Sequence, residues 1–97
     1  MFEWDDEKNA LNLAKHGIRF EEALTIFDGI VLTKEDDRWA YGEVREISIG
    51  MIDQTFLVAT VVHTDRDSAI RIISARRATR REKEEYYGHC ARITGQN

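Results

Sequence analysis

The feature that most constrains the fold is an almost unbroken apolar run from Phe56 to His63, followed by a polar connection and a second extended segment. Consecutive apolar residues predict a strand that is covered on both faces. Asp65 to Ser68 supply turn-forming residues, so Ala69–Arg77 is expected to return beside the first strand. The pattern therefore places Phe56–Thr64 at the centre of a sheet, hydrogen-bonded antiparallel to Ala69–Arg77.

Two helices are predicted before this sheet. Asp5 is a good N-cap residue, and Gly17 is the left-handed residue that ends the first helix. Between Phe20 and Phe27, apolar side chains recur at the i, i+3, i+4 and i+7 spacing of a second helix. The short joint at Gly17 favours a compact helical pair.

Two further strands and a last helix complete the predicted fold. Ile30–Thr33 and Val44–Ile49 have strand patterns, and the polar 34–42 segment between them is expected as a loop in which the two aspartates at 36 and 37 are solvated. Phe2–Trp4 is a candidate for a short extra strand. The order predicts one α+β domain over residues 1–97, with two N-terminal helices, a four-stranded mostly antiparallel sheet and one C-terminal helix, the helices covering one face.

The last helix begins beside a group of basic residues. Thr79 and Glu82 have the spacing of a capping box, which starts a helix that runs to Tyr87 or slightly past Gly88. Residues 70–83 hold six basic side chains and one acidic side chain, although the whole chain has a net charge of −4. A helix N-terminus surrounded by arginines attracts phosphate. The alternative is a solvated face with a few surface ion pairs.

The extended segment before this helix alternates in character. Strict alternation puts Ile70, Ile72 and Ser74 on one face and Arg71, Ile73 and Ala75 on the other. An arginine among isoleucines on a half-buried strand face must be paired or must line a cleft, and the same holds for Arg45.

Composition excludes several classes of protein. A single cysteine rules out an internal disulfide framework and a multi-cysteine zinc site. No apolar run reaches the roughly 18 residues that span a bilayer, and the acidic start is unlike a signal peptide. A cytoplasmic location without membrane contact is expected. Carboxylates and histidines do not cluster at metal-ligand spacing, so no metal site or other cofactor is predicted.

Five short motifs, taken together, resemble the BrnT toxins of bacterial type II toxin–antitoxin systems. They run from residue 2 to residue 86, in the order and spacing of that family: Phe2–Asp5, Lys15–Gly17, Phe20–Ala23, Glu43–Arg45, and Arg71–Arg76 continuing to Tyr86. The family often has a proline in the loop after the second helix, where this chain has Asp28 and Gly29. The resemblance implies a RelE-like fold and an endoribonuclease that arrests growth. It also implies a BrnA-like ribbon–helix–helix antitoxin as the partner. Operator DNA would be bound only by the complex of toxin and antitoxin.

RNA cleavage without a metal needs a base for the 2′-OH, cations for the phosphorane and an acid for the 5′ oxygen. The candidates for these catalytic roles are Arg45, Arg71, Arg76, His16 and Glu43. Alternatives stay open: Arg45 can pair with Glu43, His16 can be explained as a helix C-terminal cation, and His63 is expected to be structural. Arg71 is expected near Arg45, with Arg76 converging on the same phosphate.

RNA contacts are expected from side chains at the end of the sheet and on the last helix, namely Arg77, Arg80, Arg81, Lys83 and Tyr86. Tyr86 can either stack on a base or pack on the sheet. The rival functions are a non-catalytic nucleic-acid-binding protein and a protein-interaction module that uses the same basic residues.

Overall fold

The computed structural model describes residues 1–37 and 42–95, and in chain order they form β1 (Phe2–Glu3), α1 (Asp6–His16), α2 (Phe20–Ala23), a 3-10 helix (Leu24–Asp28), β2 (Val31–Glu35), β3 (Glu46–Met51), β4 (Val58–Arg66), β5 (Ala69–Arg77) and α3 (Arg80–Thr94). The α+β class is confirmed. Residues 38–41 of the predicted 34–42 loop lie outside the described part of the chain.

The strands form one sheet in the order β1-β5-β4-β3-β2. β4 is central and antiparallel to β5, as predicted, but it begins at Val58, and Phe56 of the predicted strand is exposed. β1 pairs parallel to β5, so the sheet formed by the described residues is mixed and has five strands. Only Asp67 and Ser68 form the β4–β5 turn, both with positive φ, so the strands continue further than the predicted four-residue loop allowed.

Helices cover both faces of the sheet, so the prediction that they cover one face is wrong. Along β4, Ala59 and Val61 belong to an apolar cluster with residues of α2 and the 3-10 helix. Val58 and Val62 belong to a second cluster, with Tyr86 of α3. Alternate side chains of a strand point to opposite faces. The continuous apolar character of β4 follows from this double covering.

A β-bulge changes the faces of β5. The register of β4 and β5 shifts between Val62 and His63, where Ile73 is the extra residue. Ile72 and Ala75 consequently lie in the same apolar cluster, although they are three residues apart. The predicted strict alternation is wrong beyond Ile72, because an extra residue on one strand reverses the faces of all that follow.

Asn12 of α1 closes the open edge of β5. Its side-chain amide donates to the carbonyl of Ala75 at 2.8 Å, and its oxygen accepts from the Ala75 N–H at 3.1 Å. The same amide nitrogen also donates to the carbonyl of Ile18. Asn12 is buried and takes the place of a neighbouring strand beyond the end of β1.

The helix ends agree with their capping residues. Asp5 accepts from two free amides of α1, and Gly17 ends that helix with a φ of 73°. The second predicted helix is α-helical only to Ala23 and then tightens into the 3-10 helix. α3 continues past Gly88 to Thr94, further than predicted. Within the described residues, no helix has the length and apolar character that crossing a membrane requires.

Candidate active site

The capping box at the start of α3 is present as predicted. The Thr79 hydroxyl accepts from the Glu82 N–H at 3.1 Å, and the Glu82 carboxylate accepts from the Thr79 N–H at 2.8 Å. Since β5 ends at Arg77, only two residues separate the strand from the helix. The arginines at the end of β5 and in the first turn of α3 therefore surround one corner of the sheet.

Glu82 also holds Arg76. The two terminal nitrogens of the Arg76 guanidinium donate to the two carboxylate oxygens of Glu82 at 2.7 and 3.0 Å. The Thr60 hydroxyl of β4 donates to the same carboxylate at 3.1 Å. Burial acts to raise the pKa of Glu82, but the hydrogen bonds from Arg76, the Thr79 amide and Thr60 outweigh it and lower the pKa to about 2. Glu82 is therefore a fixed anion and a poor proton acceptor.

The exposed arginines of α3 are only loosely paired. Arg80 lies 3.4 Å from Glu84, and Arg81 lies 3.9 Å from Glu85, each four residues further along the helix. Both arginine side chains are more than 90% exposed. Exposed ion pairs of this kind contribute about 0–1 kcal/mol, so these guanidiniums can leave their partners for a phosphate at little cost.

A cleft of about 580 Å³ lies between β2, β5 and α3. Its basic lining residues are Lys34, Arg76 and Arg81, and its acidic lining residues are Glu35, Asp36, Asp37, Glu82 and Glu85. Asp36 is 5% exposed and not the solvated loop charge expected from the sequence, since the chain folds back there and its N–H donates to the Arg45 carbonyl. The mixed charge shows that this cleft is not a purely cationic phosphate pocket.

Arg71 lies toward the opposite end of the same sheet face, and Arg45 immediately precedes β3 at that end. Arg71 is opposite Thr64 in the β4–β5 ladder, and its guanidinium lies 3.8 Å from the Glu3 carboxylate of β1. On the other side of β4, the Thr64 hydroxyl donates to the carbonyl of Val44, the residue before Arg45. The backbones at Arg71 and Arg45 therefore flank Thr64.

The bulge places Arg71 and Arg76 on one face despite their odd spacing. Arg76 is opposite Thr60, and Arg71 is opposite Thr64, four residues along β4. Residues four apart on a strand share a face and are separated by about 13 Å. The two guanidiniums have different carboxylate partners, Glu82 for Arg76 and Glu3 for Arg71. The structure therefore gives no support to the predicted convergence of the two guanidiniums on one phosphate.

The other sequence-predicted residues lie ahead of β3, at the end of β5, on α3 and on α1. Glu43 is exposed ahead of β3, Arg77 is exposed at the end of β5, and Lys83 is exposed on α3. His16 is partly buried in the last turn of α1, where it lines a cavity of about 210 Å³ together with Ser74 of β5.

Tyr86 is part of the core, so of the two roles left open by the sequence the structure supports packing on the sheet. The side chain is 5% exposed, and its hydroxyl donates to the Ile30 carbonyl at 2.9 Å. Burial and the neighbouring Cys90 thiol raise the pKa of Tyr86 to about 12. A ring packed under a helix cannot stack on a base.

Sequence reasoning missed two groups of polar residues. Thr60 and Glu82 orient Arg76, and only the glutamate had a local signal, as a capping residue. The second group lies on the opposite face, where strand pairing brings together Glu46, His63 and Asp65, with donor atoms all within 4.8 Å of one another. Because these residues come from two strands, their sequence spacing is unlike that of a local metal motif.

The fold and this face define the chain as an α+β protein whose mixed sheet carries arginines at both ends of one face. Residues 4–82 match the family model described as the ribonuclease toxin BrnT of type II toxin–antitoxin systems. The match spans most of the chain, so the chain belongs to the BrnT family, whose members are ribonuclease toxins with an RNA substrate and an antitoxin partner. A comparison with curated proteins gave no match.

Proposed function

We propose that this chain is an endoribonuclease that cleaves RNA without a metal ion, on the sheet face that carries Arg45, Arg71 and Arg76. The observation that supports the proposal most directly is the register of β4 and β5, which puts Arg71 and Arg76 on one face. Arginine is suited to this role because its planar fork of donors matches phosphate oxygens.

In the proposed reaction, the 2′-oxygen attacks the adjacent phosphorus and the bond to the 5′ oxygen breaks. The products are a 2′,3′-cyclic phosphate and a free 5′-hydroxyl. Negative charge increases on the equatorial oxygens of the phosphorane, where fixed donors stabilise the transition state more than the ground state. Arg71, which is 32% exposed and only loosely paired with Glu3, is the guanidinium best able to take part.

The two ends of the face suit different phosphates of one strand. Arg45 and Arg71 flank Thr64, whereas Arg76 lies opposite Thr60, about 13 Å along the sheet. We therefore assign the Arg45–Arg71 end to the scissile phosphate and the Arg76 end to a flanking phosphate. The exposed Arg80, Arg81 and Lys83 extend the second contact along the RNA. Arg77 is opposite Ala59, on the other face of β5, so we propose that it contributes from the end of the strand.

His16 and Glu43 are proposed for proton transfer. His16 lies beside β5 and lines a cavity with Ser74, a residue in register with Val62 of β4. Glu43 is exposed two residues before Arg45. Glu82 is excluded as the base because its pKa of about 2 leaves it ionised and weakly basic.

The antitoxin is proposed to be a ribbon–helix–helix protein that covers the arginine face, including Arg71, Arg76 and Arg80, in the bacterial cytoplasm. Operator DNA would then be bound only by the toxin–antitoxin complex. The acidic side chains of the 580 Å³ cleft give such a partner charges of both signs to contact. The same proposal gives the chain a RelE-like fold in a single domain.

Induction in cells tests the toxin and its partner together. Wild-type protein should arrest growth, and co-expression of the antitoxin should restore it. The antitoxin should also bind the Arg71→Ala, Arg76→Ala, Arg80→Ala triple variant more weakly than wild type. Equal binding of wild type and triple variant would contradict the masking of this face, and RNA retention without cleavage by the purified toxin would favour a non-catalytic binding protein.

A further inference from the structure

We propose that Glu46, His63 and Asp65 form a binding site for a divalent cation of the Zn²⁺ class, on the sheet face opposite the arginines. Glu46 of β3 is directly opposite His63 of β4, and Asp65 follows two residues later on the same face. One ligand atom from each residue lies within 4.8 Å of the others. Two carboxylates and one imidazole are donors that Zn²⁺ accepts.

The His63 ring is held so that one nitrogen faces the two carboxylates. The side chain is 3% exposed, and Nε2 lies 2.7 Å from the Ser48 hydroxyl. The Phe27 ring packs edge-to-face against it, with centroids 5.3 Å apart. Nδ1 is buried and has no hydrogen-bond partner among the described residues, although it lies 3.4 Å from Oδ1 of Asp65.

This arrangement leaves a buried lone pair or a buried N–H without a matched partner. When Nε2 carries the proton and donates to Ser48, the Nδ1 lone pair points toward two carboxylates, which is unfavourable until a cation lies between them. Ser48 is fixed in turn by the Thr33 hydroxyl at 2.7 Å. A hydrogen bond on the second ring nitrogen is the feature that orients metal-binding histidines.

Small movements are enough to bring the donors to metal-bond distances. Zn²⁺ binds imidazole nitrogen and carboxylate oxygen at about 2.0–2.2 Å, which puts tetrahedral ligand atoms about 3.4 Å apart. Donors up to 4.8 Å apart must therefore close by up to about 1.4 Å. The Asp65 side chain is 62% exposed and free to make that adjustment. Three protein ligands leave the fourth position of a tetrahedral ion to water.

A bound cation would join β3 to β4 next to Arg45. Glu46 follows Arg45 directly, and successive residues point to opposite faces, so the cation and the arginine lie on opposite sides of the sheet. The ion therefore does not contact the RNA. The cation site is independent of the proposed cleavage reaction, because that reaction is measured in the presence of a metal chelator.

Titration calorimetry of the full chain with ZnCl₂, after removal of metal with EDTA, tests the site. Saturable binding of one ion per chain is expected. Asp65→Asn should weaken the affinity for Zn²⁺ at least tenfold. Asp67→Asn removes the same charge two residues away, outside the ligand set, and should leave the affinity unchanged. Glu46→Gln is a second variant that should also weaken binding at least tenfold.

A spectroscopic measurement identifies the ligand. On addition of Zn²⁺, the ¹⁵N resonance of His63 Nδ1 should shift, while those of His16 and His89 should not. Absence of saturable binding, equal affinity of wild type and Asp65→Asn, or a shift confined to His89 would each overturn the proposal. A failure to bind Zn²⁺ would not bear on the proposed RNA cleavage, because the cleavage assay contains EDTA.

Discussion

Arg76 and Glu82 form a two-point ion pair that joins the end of β5 to the first turn of α3, with nitrogen–oxygen distances of 2.7 and 3.0 Å. The same carboxylate accepts from the Thr79 amide and from the Thr60 hydroxyl. One side chain thus caps a helix, fixes an arginine and contacts the central strand. The geometry of the candidate site depends on it.

Replacing Glu82 by Gln keeps a capping side chain and removes the charge. The pKa of Glu82 is about 2, below its ordinary value of 4.5, so the carboxylate stabilises the fold above about pH 5 and this stabilisation is lost as pH falls toward 2. We expect Glu82→Gln to lower the free energy of unfolding by about 1–2 kcal/mol at pH 7. Thermal melts from pH 7 to pH 2 should show the difference shrinking.

Glu84→Gln is the matched control for this prediction. Glu84 is 69% exposed and pairs with the 94% exposed Arg80, so its replacement should change stability by less than about 0.5 kcal/mol at any pH. If the melting temperature of Glu82→Gln lies as far below that of wild type at pH 2.5 as at pH 7, the stabilisation does not come from the ionised carboxylate.

Asn12→Ala should strongly destabilise the fold. The substitution removes partners from the N–H and carbonyl of Ala75 and from the Ile18 carbonyl, in a buried position. Each stranded buried group costs about 1–3 kcal/mol, so a total loss of roughly 3 kcal/mol is expected in urea unfolding. The neighbouring Leu11 is 63% exposed, and Leu11→Ala should cost far less. Similar losses for the two variants would show that the edge contact is unimportant.

Replacement by alanine should have opposite effects on stability at two glycines. A Cβ at Gly50 would lie 2.9 Å from the Cβ of Ile26, so Gly50→Ala should separate the 3-10 helix from β3 and cost about 1–3 kcal/mol. Gly88 is inside α3, where the nearest atom to a new Cβ is the Arg92 guanidinium at 3.6 Å. Gly88→Ala should therefore stabilise by up to about 1 kcal/mol. Melting both variants checks the two signs.

Much of the fold could be predicted from local signals. Asp5, Gly17 and the Thr79–Glu82 box mark helix ends through hydrogen bonds within a few residues, and all are confirmed. The central position of β4 followed from its apolar run. The bulge at Ile73 has no comparable signal, because it depends on how two strands pair.

The site was less predictable for the same reason. The alternation of β5 was correct up to Ile72, but the bulge moved Arg76 onto the face of Arg71. The burial of Tyr86 depends on α3 packing across the sheet from α2, which periodicity alone does not define. The donors Glu46 and His63 are seventeen residues apart and meet only through strand pairing.

Arg71→Ala should abolish most RNA cleavage without unfolding the chain. Its ion pair with Glu3 is 3.8 Å long and its side chain is 32% exposed, so the pair contributes about 1 kcal/mol or less. Loss of a transition-state donor costs about 3 kcal/mol, or roughly 100-fold in rate. Glu3→Gln removes the same ion pair but keeps the guanidinium, and it should cleave RNA at a rate close to wild type.

The central claim is tested most directly by incubating purified toxin with a defined, end-labelled RNA in EDTA and analysing the ends of the products. We predict cleavage that leaves a 2′,3′-cyclic phosphate and a 5′-hydroxyl, at rates that fall about 100-fold for Arg71→Ala and remain near wild type for Glu3→Gln. Cleavage only after Mg²⁺ is added, or equal rates for wild type and a folded Arg71→Ala variant, would contradict a metal-independent site on the arginine face.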